Sequence, residues 1–302
     1  MAMQNNSKGC RVMSSFGVVD MVSPLRQVLM KQPGLAMASA DAEKWHYAGP
    51  LTLNALQADH HALVAVLEAS GAEVVFLEED PADLADAVFT HDPSLVTATG
   101  AIILRMGKPL RRGEQRLHAE FYAERGIPVI GTLEEPGTVE AGDCLWLDSQ
   151  TLLVGLGFRT NEAGLTQLEK ILAPDGVSIH AFDLPMYQGR DACLHLISLV
   201  SMLDHNLALT CQSLLPVRLQ TLFAQRGIEC LAAPEDEFRA SGTLSTSILA
   251  LAERHCVMVD GFPKTQDLLH SAGCQLALFP GRELCLKAEG GPSCLTRPLL
   301  RR

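Results

Sequence analysis

A cysteine near the end of the sequence stands among residues that favour an open backbone. Gly290-Gly291-Pro292-Ser293 precedes Cys294 directly. Because glycine and proline disfavour a helix, the stretch predicts a turn, and glycine lets another molecule approach the backbone closely. Cys294 is therefore a candidate nucleophile, because a reactive thiol needs an accessible position. The structural alternative is a buried core thiol, which is the commoner fate of cysteine.

Three further residues complete a set that could carry out chemistry. Asp92 lies in Phe89-Thr90-His91-Asp92-Pro93, Glu140 begins Glu140-Ala141-Gly142-Asp143, and His195 follows Asp191-Ala192-Cys193-Leu194. With Cys294, they offer a nucleophile, an acid/base and two carboxylates for a cation. Taken one at a time, they also suit a turn, surface carboxylates and a core histidine. Cys144, Cys193 and His195 could instead ligate a metal, but no flanking ligand spacing supports this.

A fivefold pattern places these residues at comparable positions. Five amphipathic helical stretches each end at a glycine, and a short apolar strand follows. The glycines, separated by 55, 50, 51 and 46 residues, are Gly71, Gly126, Gly176, Gly227 and Gly273. The predicted strands cover 72–77, 127–130, 177–182, 228–232 and 274–279. A bend and a second extended segment come next, and four of these segments begin near a candidate residue. Five such αβ units around an axis would share one core and bring the four side chains to its mouth.

The segments outside the repeat predict less regular structure. Residues 1–10 predict a flexible N-terminus, and Arg11-Val12-Met13 and Val28-Leu29-Met30 predict short strands. Residues 34–49 form a long connection that could be a lid or a packed surface loop. We expect a single domain over residues 1–302, because no linker or low-complexity segment interrupts the series.

Composition limits the possible partners. The chain has 302 residues, 47% of them hydrophobic, and a formal net charge of −11. That charge argues against a nucleic-acid partner, but it does not exclude a local basic pocket that binds a small anion. The cluster of Arg105, Lys108, Arg111 and Arg112 is most simply read as a solvated face. Nine cysteines without a framework or CxxC pair, and no apolar stretch of membrane length, predict a cytoplasmic protein that does not bind membranes.

These motifs together resemble a known family. The sequence is similar to the guanidino-group-modifying enzymes of the pentein fold, a five-bladed α/β propeller, and most of all to the bacterial dimethylarginine dimethylaminohydrolases. The resemblance extends over nearly the whole chain from about Arg11. Its strongest parts are Glu140-Ala141-Gly142-Asp143, Arg159-Thr160-Asn161-Glu162-Ala163-Gly164, His195-Leu196 and the stretch from Gly290 to Cys294.

The resemblance implies a role for each residue of the catalytic set. Cys294 would be the nucleophile, His195 the general acid/base and Glu140 the carboxylate near the guanidinium. The implied activity is hydrolysis of an arginine-type or N-methylated arginine-type compound to a ureido product through a covalent thiouronium. It requires no cofactor and no metal. An amidinotransferase, in which an amine replaces water, is the alternative, and a non-catalytic pentein that binds ribosomes is a third.

The resemblance also implies substrate contacts. Asp92 matches a second guanidinium-side carboxylate, Asp86 a further contact, and Arg111 and Arg159 two arginines that bind the α-carboxylate of the substrate. Arg112 is adjacent to Arg111, so either could fill that place. His91 stands beside Asp92 where relatives carry a charged residue. A homodimer is also possible.

Two further departures bear on the substrate. Ile197 stands where arginine deiminases have an aspartate, and 244–248 does not match the fourth unit of the methylarginine hydrolases.

Overall fold

Five three-stranded sheets and their connecting helices make up the computed structural model, which describes residues 15–190, 192 and 194–302. The strands are β1 (Leu25–Lys31), β2 (Glu73–Leu77), β3 (Ser94–Val96), β4 (Ala101–Ile103), β5 (Val129–Thr132), β6 (Cys144–Asp148), β7 (Thr151–Leu156), β8 (Ser178–Asp183), β9 (Val200–Asp204), β10 (Leu207–Thr210), β11 (Glu229–Ala232), β12 (Leu249–Ala252), β13 (His255–Val259), β14 (Gln275–Phe279) and β15 (Arg297–Arg301).

The helices are mostly short. They are α1 (Leu35–Ala38), α2 (Ala42–Trp45), α3 (Leu53–Ala69), α4 (Glu114–Glu124), α5 (Glu162–Leu172), α6 (Leu196–Leu199), α7 (Val217–Gln225), α8 (Glu235–Ala240) and α9 (Pro263–Ser271). Single 3-10 turns cover Ala85–Val88, Pro109–Arg111, Ala141–Asp143, Ala173–Asp175 and Leu244–Thr246. None of the helices in the described part of the chain combines the length and apolar character needed to span a bilayer.

All five sheets share one topology. In the second sheet, β4 pairs antiparallel with β3 and parallel with β5. The helix α4 lies between β4 and β5 in the chain, because parallel neighbours require a crossover connection. The helices α3, α5, α7 and α9 occupy the same place in the other sheets. In the first sheet the last strand, β15, pairs with β1, so the two ends of the described chain meet in one sheet.

The repeat predicted from sequence is confirmed as five αβ units. All five spacer glycines have positive φ, which favours glycine, with values of 90°, 66°, 70°, 68° and 81° for Gly71, Gly126, Gly176, Gly227 and Gly273. An outer strand follows each of them within three residues. The predicted strand at Val28–Met30 lies within β1, whereas the one at 11–13 lies outside the described residues.

Apolar faces of the helices pack onto the sheets. On α3, Leu56, Leu63 and Leu67 are fully buried, as the helical spacing predicted. Burying one such side chain contributes about 1.5–3 kcal/mol. Val66, expected on the same face, is only partly buried. The buried residues form two apolar clusters, and each contains residues from both ends of the described chain.

The connection at residues 34–49 packs against the rest of the molecule at several points. It contains α1 and α2, and Trp45 and Tyr47 are buried. The Tyr47 hydroxyl donates to Asp86 at 2.7 Å, and the Ala48 N–H donates to the Lys287 carbonyl at 2.8 Å. Movement of this segment as a lid stays a prediction.

Candidate active site

The sheets bring three of the candidate side chains to one cleft. Cys294, His195 and Asp92 all line a cleft with an empty volume of about 490 Å³. Each residue lies in the segment that leads into the strand paired antiparallel with the central strand of a sheet: Asp92 before β3, His195 before α6 and β9, and Cys294 before β15. Glu140 holds the equivalent place before β6. The common topology of the sheets therefore explains why residues far apart in sequence come together.

His195 is held by a buried carboxylate. Its Nε2 lies 2.8 Å from Oε2 of Glu140, which also accepts from Nη1 of Arg159 at 3.3 Å. The Lys108 N–H donates to the other Glu140 oxygen at 2.9 Å. Burial alone would raise the pKa of Glu140, but the His195 hydrogen bond and the Arg159 charge outweigh it, so this pKa lies well below its ordinary value. Glu140 is therefore an anion that orients the imidazole.

Asp92 forms the second anionic side of the cleft. Its Oδ2 accepts from Nη1 of Arg111 at 2.6 Å, and its Oδ1 accepts from the Gly142 N–H at 2.9 Å. The same Oδ1 lies 4.0 Å from Nδ1 of His195. Burial would raise the pKa of Asp92, but His195 and Arg111 lower it below its ordinary value overall.

Arg111 is committed to this buried network. Besides Asp92, its guanidinium donates to both oxygens of Glu114, at 2.8–3.1 Å, and to the Phe89 carbonyl at 3.0 Å. Only 4% of Arg111 is exposed. Every nitrogen of its guanidinium therefore already has an acceptor, which leaves little capacity for a substrate carboxylate.

Further charged residues line the cleft. Asp86 accepts from Nζ of Lys108 at 2.7 Å, in addition to the Tyr47 hydroxyl. Lys108 also donates to the Trp45 carbonyl at 3.2 Å, and its Nζ lies 5.1 Å from the centre of the Trp45 ring. Glu289, with a positive φ of 60°, also lines the cleft.

The remaining predicted residues lie in different places. Arg159 and Asp86 line the cleft, whereas Glu140 lies behind its wall, because His195 and Arg159 stand in front of it. The His91 side chain lines a separate internal cavity, where its Nδ1 lies 3.0 Å from the Thr296 carbonyl. Burial and the nearby Arg297 lower the pKa of His91 to about 3, so its ring is neutral. Of the unit that contains His195, residues 191 and 193 lie outside the described part.

Sequence reasoning missed several residues of the cleft. Trp45 and Glu289 carried no motif signal, and Lys108 was assigned to a solvated face. That assignment is wrong for Lys108 and for Arg111, which are mostly buried at ion pairs. The signal that could have found Lys108 was its place in a basic cluster of a chain with a net charge of −11.

Gly142 allows His195 and Asp92 to approach each other. A Cβ at this position would overlap the His195 ring and lie 2.9 Å from Oδ1 of Asp92. The neighbouring Asp143 accepts from the Leu196 N–H at 3.1 Å and so fixes the start of α6, directly after His195. Burial is the largest influence on Asp143 and raises its pKa to about 6.

The centre has the donor types of a metal site. Ligand atoms of Asp92, Glu140 and His195 lie within 4.8 Å of one another. Both carboxylates, however, already accept hydrogen bonds from Arg111 or Arg159. A metal ion or an organic cation would therefore have to compete with these guanidinium groups for the carboxylate oxygens.

Known proteins resemble this chain in sequence and in fold. The arginine deiminase family matches residues 80–226. The N(G),N(G)-dimethylarginine dimethylaminohydrolase of Streptomyces coelicolor is 33% identical over 78% of this chain and 82% of its own length. The protein of that name from Pseudomonas aeruginosa is 28% identical over 83% of this chain and 91% of its own. A crystal structure of a dimethylarginine dimethylaminohydrolase adduct with 4-chloro-2-hydroxymethylpyridine has a TM-score of 0.74 at 25% identity, covering 92% of this chain and all of that one.

Proposed function

Because this chain belongs to the pentein superfamily of guanidino-group-modifying enzymes, we propose that it hydrolyses a guanidino compound of the arginine or N-methylarginine type. The products are a ureido compound, such as citrulline, and ammonia or an amine. The observation that carries the proposal is the shared cleft of Cys294, His195 and Asp92. The expectation of a hydrolase acting on carbon–nitrogen bonds agrees with the names of the relatives. In this proposal the five sheets are the blades of an α/β propeller, and the turns before their first strands meet at its axis.

The charges of the cleft suit a cationic substrate. Asp86, Asp92, Glu289 and the underlying Glu140 outnumber the cations Lys108, Arg111 and Arg159. A guanidinium stays charged at any ordinary pH, and its N–H forks match carboxylate oxygens. Asp92 is the carboxylate that faces the ligand, and it holds the guanidinium carbon over the sulfur of Cys294.

Catalysis proceeds in two halves. The Cys294 thiolate adds to the guanidinium carbon, the C=N π electrons move to nitrogen, and a tetrahedral adduct forms. His195 gives a proton to the departing nitrogen, the C–N bond breaks, and a thiouronium remains. His195 then takes a proton from water as the water oxygen attacks the same carbon. The C–S bond breaks and the hydroxyl proton passes to solvent as the C=O bond forms, which releases the ureido product and restores the thiolate.

Glu140 acts in this scheme as a positioning residue. Its carboxylate fixes the imidazole through Nε2 and stabilises the protonated ring that each half-reaction needs. This differs in detail from the role that the family resemblance implied, because Arg159 and His195 lie between Glu140 and the open cleft.

A product assay tests the proposal. Arginine, N-methylated arginines and agmatine are incubated with the purified chain, and ureido product is measured by colour and by mass. We expect turnover of at least one compound and complete loss in Cys294→Ser. Cys230→Ser is the matched control, because Cys230 lies on the outer strand β11 and outside the cleft. Activity retained in Cys294→Ser, with the fold intact by circular dichroism, would refute the covalent route.

The same assay separates hydrolysis from transfer. Arginine is incubated with and without glycine, and the products are identified by mass. We expect citrulline in both cases. Guanidinoacetate and ornithine in the presence of glycine would assign the chain to the amidinotransferases instead.

A further inference from the structure

A basic groove adjoins the catalytic cleft. It has an empty volume of about 940 Å³, and four of its nine lining residues, Lys108, Arg112, Arg159 and Arg190, are lysine or arginine. Lysine and arginine make up only 24 of the 302 residues of the chain. Among the described residues, none that lines this groove is a carboxylate, in contrast to the cleft, which has three. The groove therefore has the electrostatic character of an anion site.

The groove and the cleft are continuous. His46, Lys108 and Arg159 line both, so they form a shared wall. At this wall Lys108 is paired with Asp86 and Arg159 with Glu140, and each ion pair offsets part of the positive charge. A carboxylate on the carbon chain of a bound guanidino compound would meet these two cations first.

Arg112 and Arg190 lie beyond that wall and line only the groove. Both are exposed, and among the described residues neither forms an ion pair with a carboxylate. The Arg190 guanidinium carbon lies 5.2 Å from the centre of the Phe158 ring. This cation–π contact favours a position of the guanidinium over the ring, and both residues line the groove. Arg112 follows Arg111 directly but is exposed, whereas Glu114 and Asp92 hold Arg111 inside.

We propose that this groove, formed around Arg112 and Arg190, binds a second anionic group of the substrate. The inference rests on the proposed function and narrows its substrate class to guanidino compounds that carry a carboxylate or phosphate beyond the ordinary amino-acid head. Two arginines suit either anion, because their N–H forks match planar and tetrahedral oxygen groups.

The test compares three ligands that differ only at the α-nitrogen. They are Nα-succinyl-L-arginine, which adds a carboxylate, Nα-acetyl-L-arginine, which adds a neutral group, and L-arginine. We expect a higher kcat/KM for the succinyl compound than for the acetyl compound, and a smaller difference at high salt. Arg112→Gln and Arg190→Gln should each lower the succinyl value about three- to fivefold, because exposed ion pairs are weak. The double variant should lower it about tenfold or more, and all three variants should lower the succinyl value by a larger factor than the L-arginine value.

Arg218→Gln is the matched control, because Arg218 is an exposed arginine on α7 outside the groove. A binding arm does not depend on turnover: succinate and inorganic phosphate are titrated into Cys294→Ser by calorimetry, with and without the double substitution. Binding that disappears with Arg112 and Arg190 supports the proposal even if no tested guanidino compound is turned over. Phosphate binding alone assigns the second group as a phosphate.

Two results overturn the inference. In the first, neither anion binds and the succinyl compound has no advantage over the acetyl compound. In the second, the double variant weakens L-arginine and the succinyl compound equally, which would mean that the groove only holds the ordinary α-carboxylate. Failure of the proposed function itself looks different, since turnover would be absent while anion binding remained.

Discussion

Replacing Glu140 with glutamine tests whether the buried carboxylate supports proton transfer by His195. The substitution keeps the shape and the acceptor that receives the Lys108 N–H at 2.9 Å. It removes the negative charge from the atom that lies 2.8 Å from His195 Nε2 and 3.3 Å from Arg159 Nη1. With the amide oxygen kept at the Lys108 N–H, the NH2 takes the other position and cannot accept from either, so the protonated imidazole loses its counter-charge.

The size of the effect follows from the bond that is lost. A hydrogen bond to a charged group contributes about 1.5–3 kcal/mol. Each 1.36 kcal/mol corresponds to about tenfold in rate, so kcat should fall by about 10- to 150-fold. The loss should be smaller for S-methyl-L-thiocitrulline than for arginine, because a thiolate departs with less help from a proton donor than an amine does.

Steady-state kinetics on both substrates measure this difference. Glu237→Gln is the control, because Glu237 also accepts three hydrogen bonds, from Lys264 and Thr265, at a distance from the cleft. The control should keep its activity. Equal losses on the two substrates would show that Glu140 has only a structural role, and an unchanged kcat would refute the reasoning altogether.

Three more perturbations follow from the site. Gly142→Ala should displace His195, because the new Cβ overlaps its ring, and should therefore lower kcat by about a hundredfold. Gly157→Ala is the control and should keep activity, because a Cβ at that position makes only ordinary contacts. Asp143→Asn should stabilise the fold increasingly as pH rises from about 4 to about 6, by up to about 3 kcal/mol in urea unfolding at pH 7.5, and hardly at pH 4. The sign follows from the pKa of Asp143, which is about 6 in the folded chain and 3.8 as its ordinary value. Between these two pH values the unfolded chain loses the proton more readily, so the protein with Asp143 loses stability as pH rises and the Asn variant does not. Dialysis against EDTA should leave turnover unchanged, and a loss restored by a divalent ion would indicate a metal at Asp92, Glu140 and His195.

The fold was largely predictable because its repeat is imposed by backbone geometry. A residue that ends a helix with positive φ favours glycine, so Gly71, Gly126, Gly176, Gly227 and Gly273 marked the five units in the sequence. In each unit the order is helix, glycine, outer strand and then the segment that leads into the next sheet. This order indicates where that segment begins. The convergence of Asp92, His195 and Cys294 on one cleft follows from that register.

The orientations of neighbouring residues could not be predicted in the same way. Sequence alone does not say which of Arg111 and Arg112 turns inward, because the choice depends on Glu114 and Asp92, which meet only in the folded chain. The same holds for His91, whose ring turns away from the cleft toward the Thr296 carbonyl. Such choices depend on burial and on the pairing of charges, and neither has a local pattern in the sequence.

The glycines before Cys294 have a different purpose from the one that their sequence suggests. A Cβ on Gly290 would overlap the Phe89 ring, and one on Gly291 would overlap the Ser247 side chain. Both glycines are buried, so they serve close internal packing. Phe89 belongs to the turn that carries Asp92, and its carbonyl accepts from Arg111. The contact with Gly290 therefore couples the position of the proposed nucleophile Cys294 to that of Asp92, which is the alignment that the proposed attack on a guanidinium carbon requires.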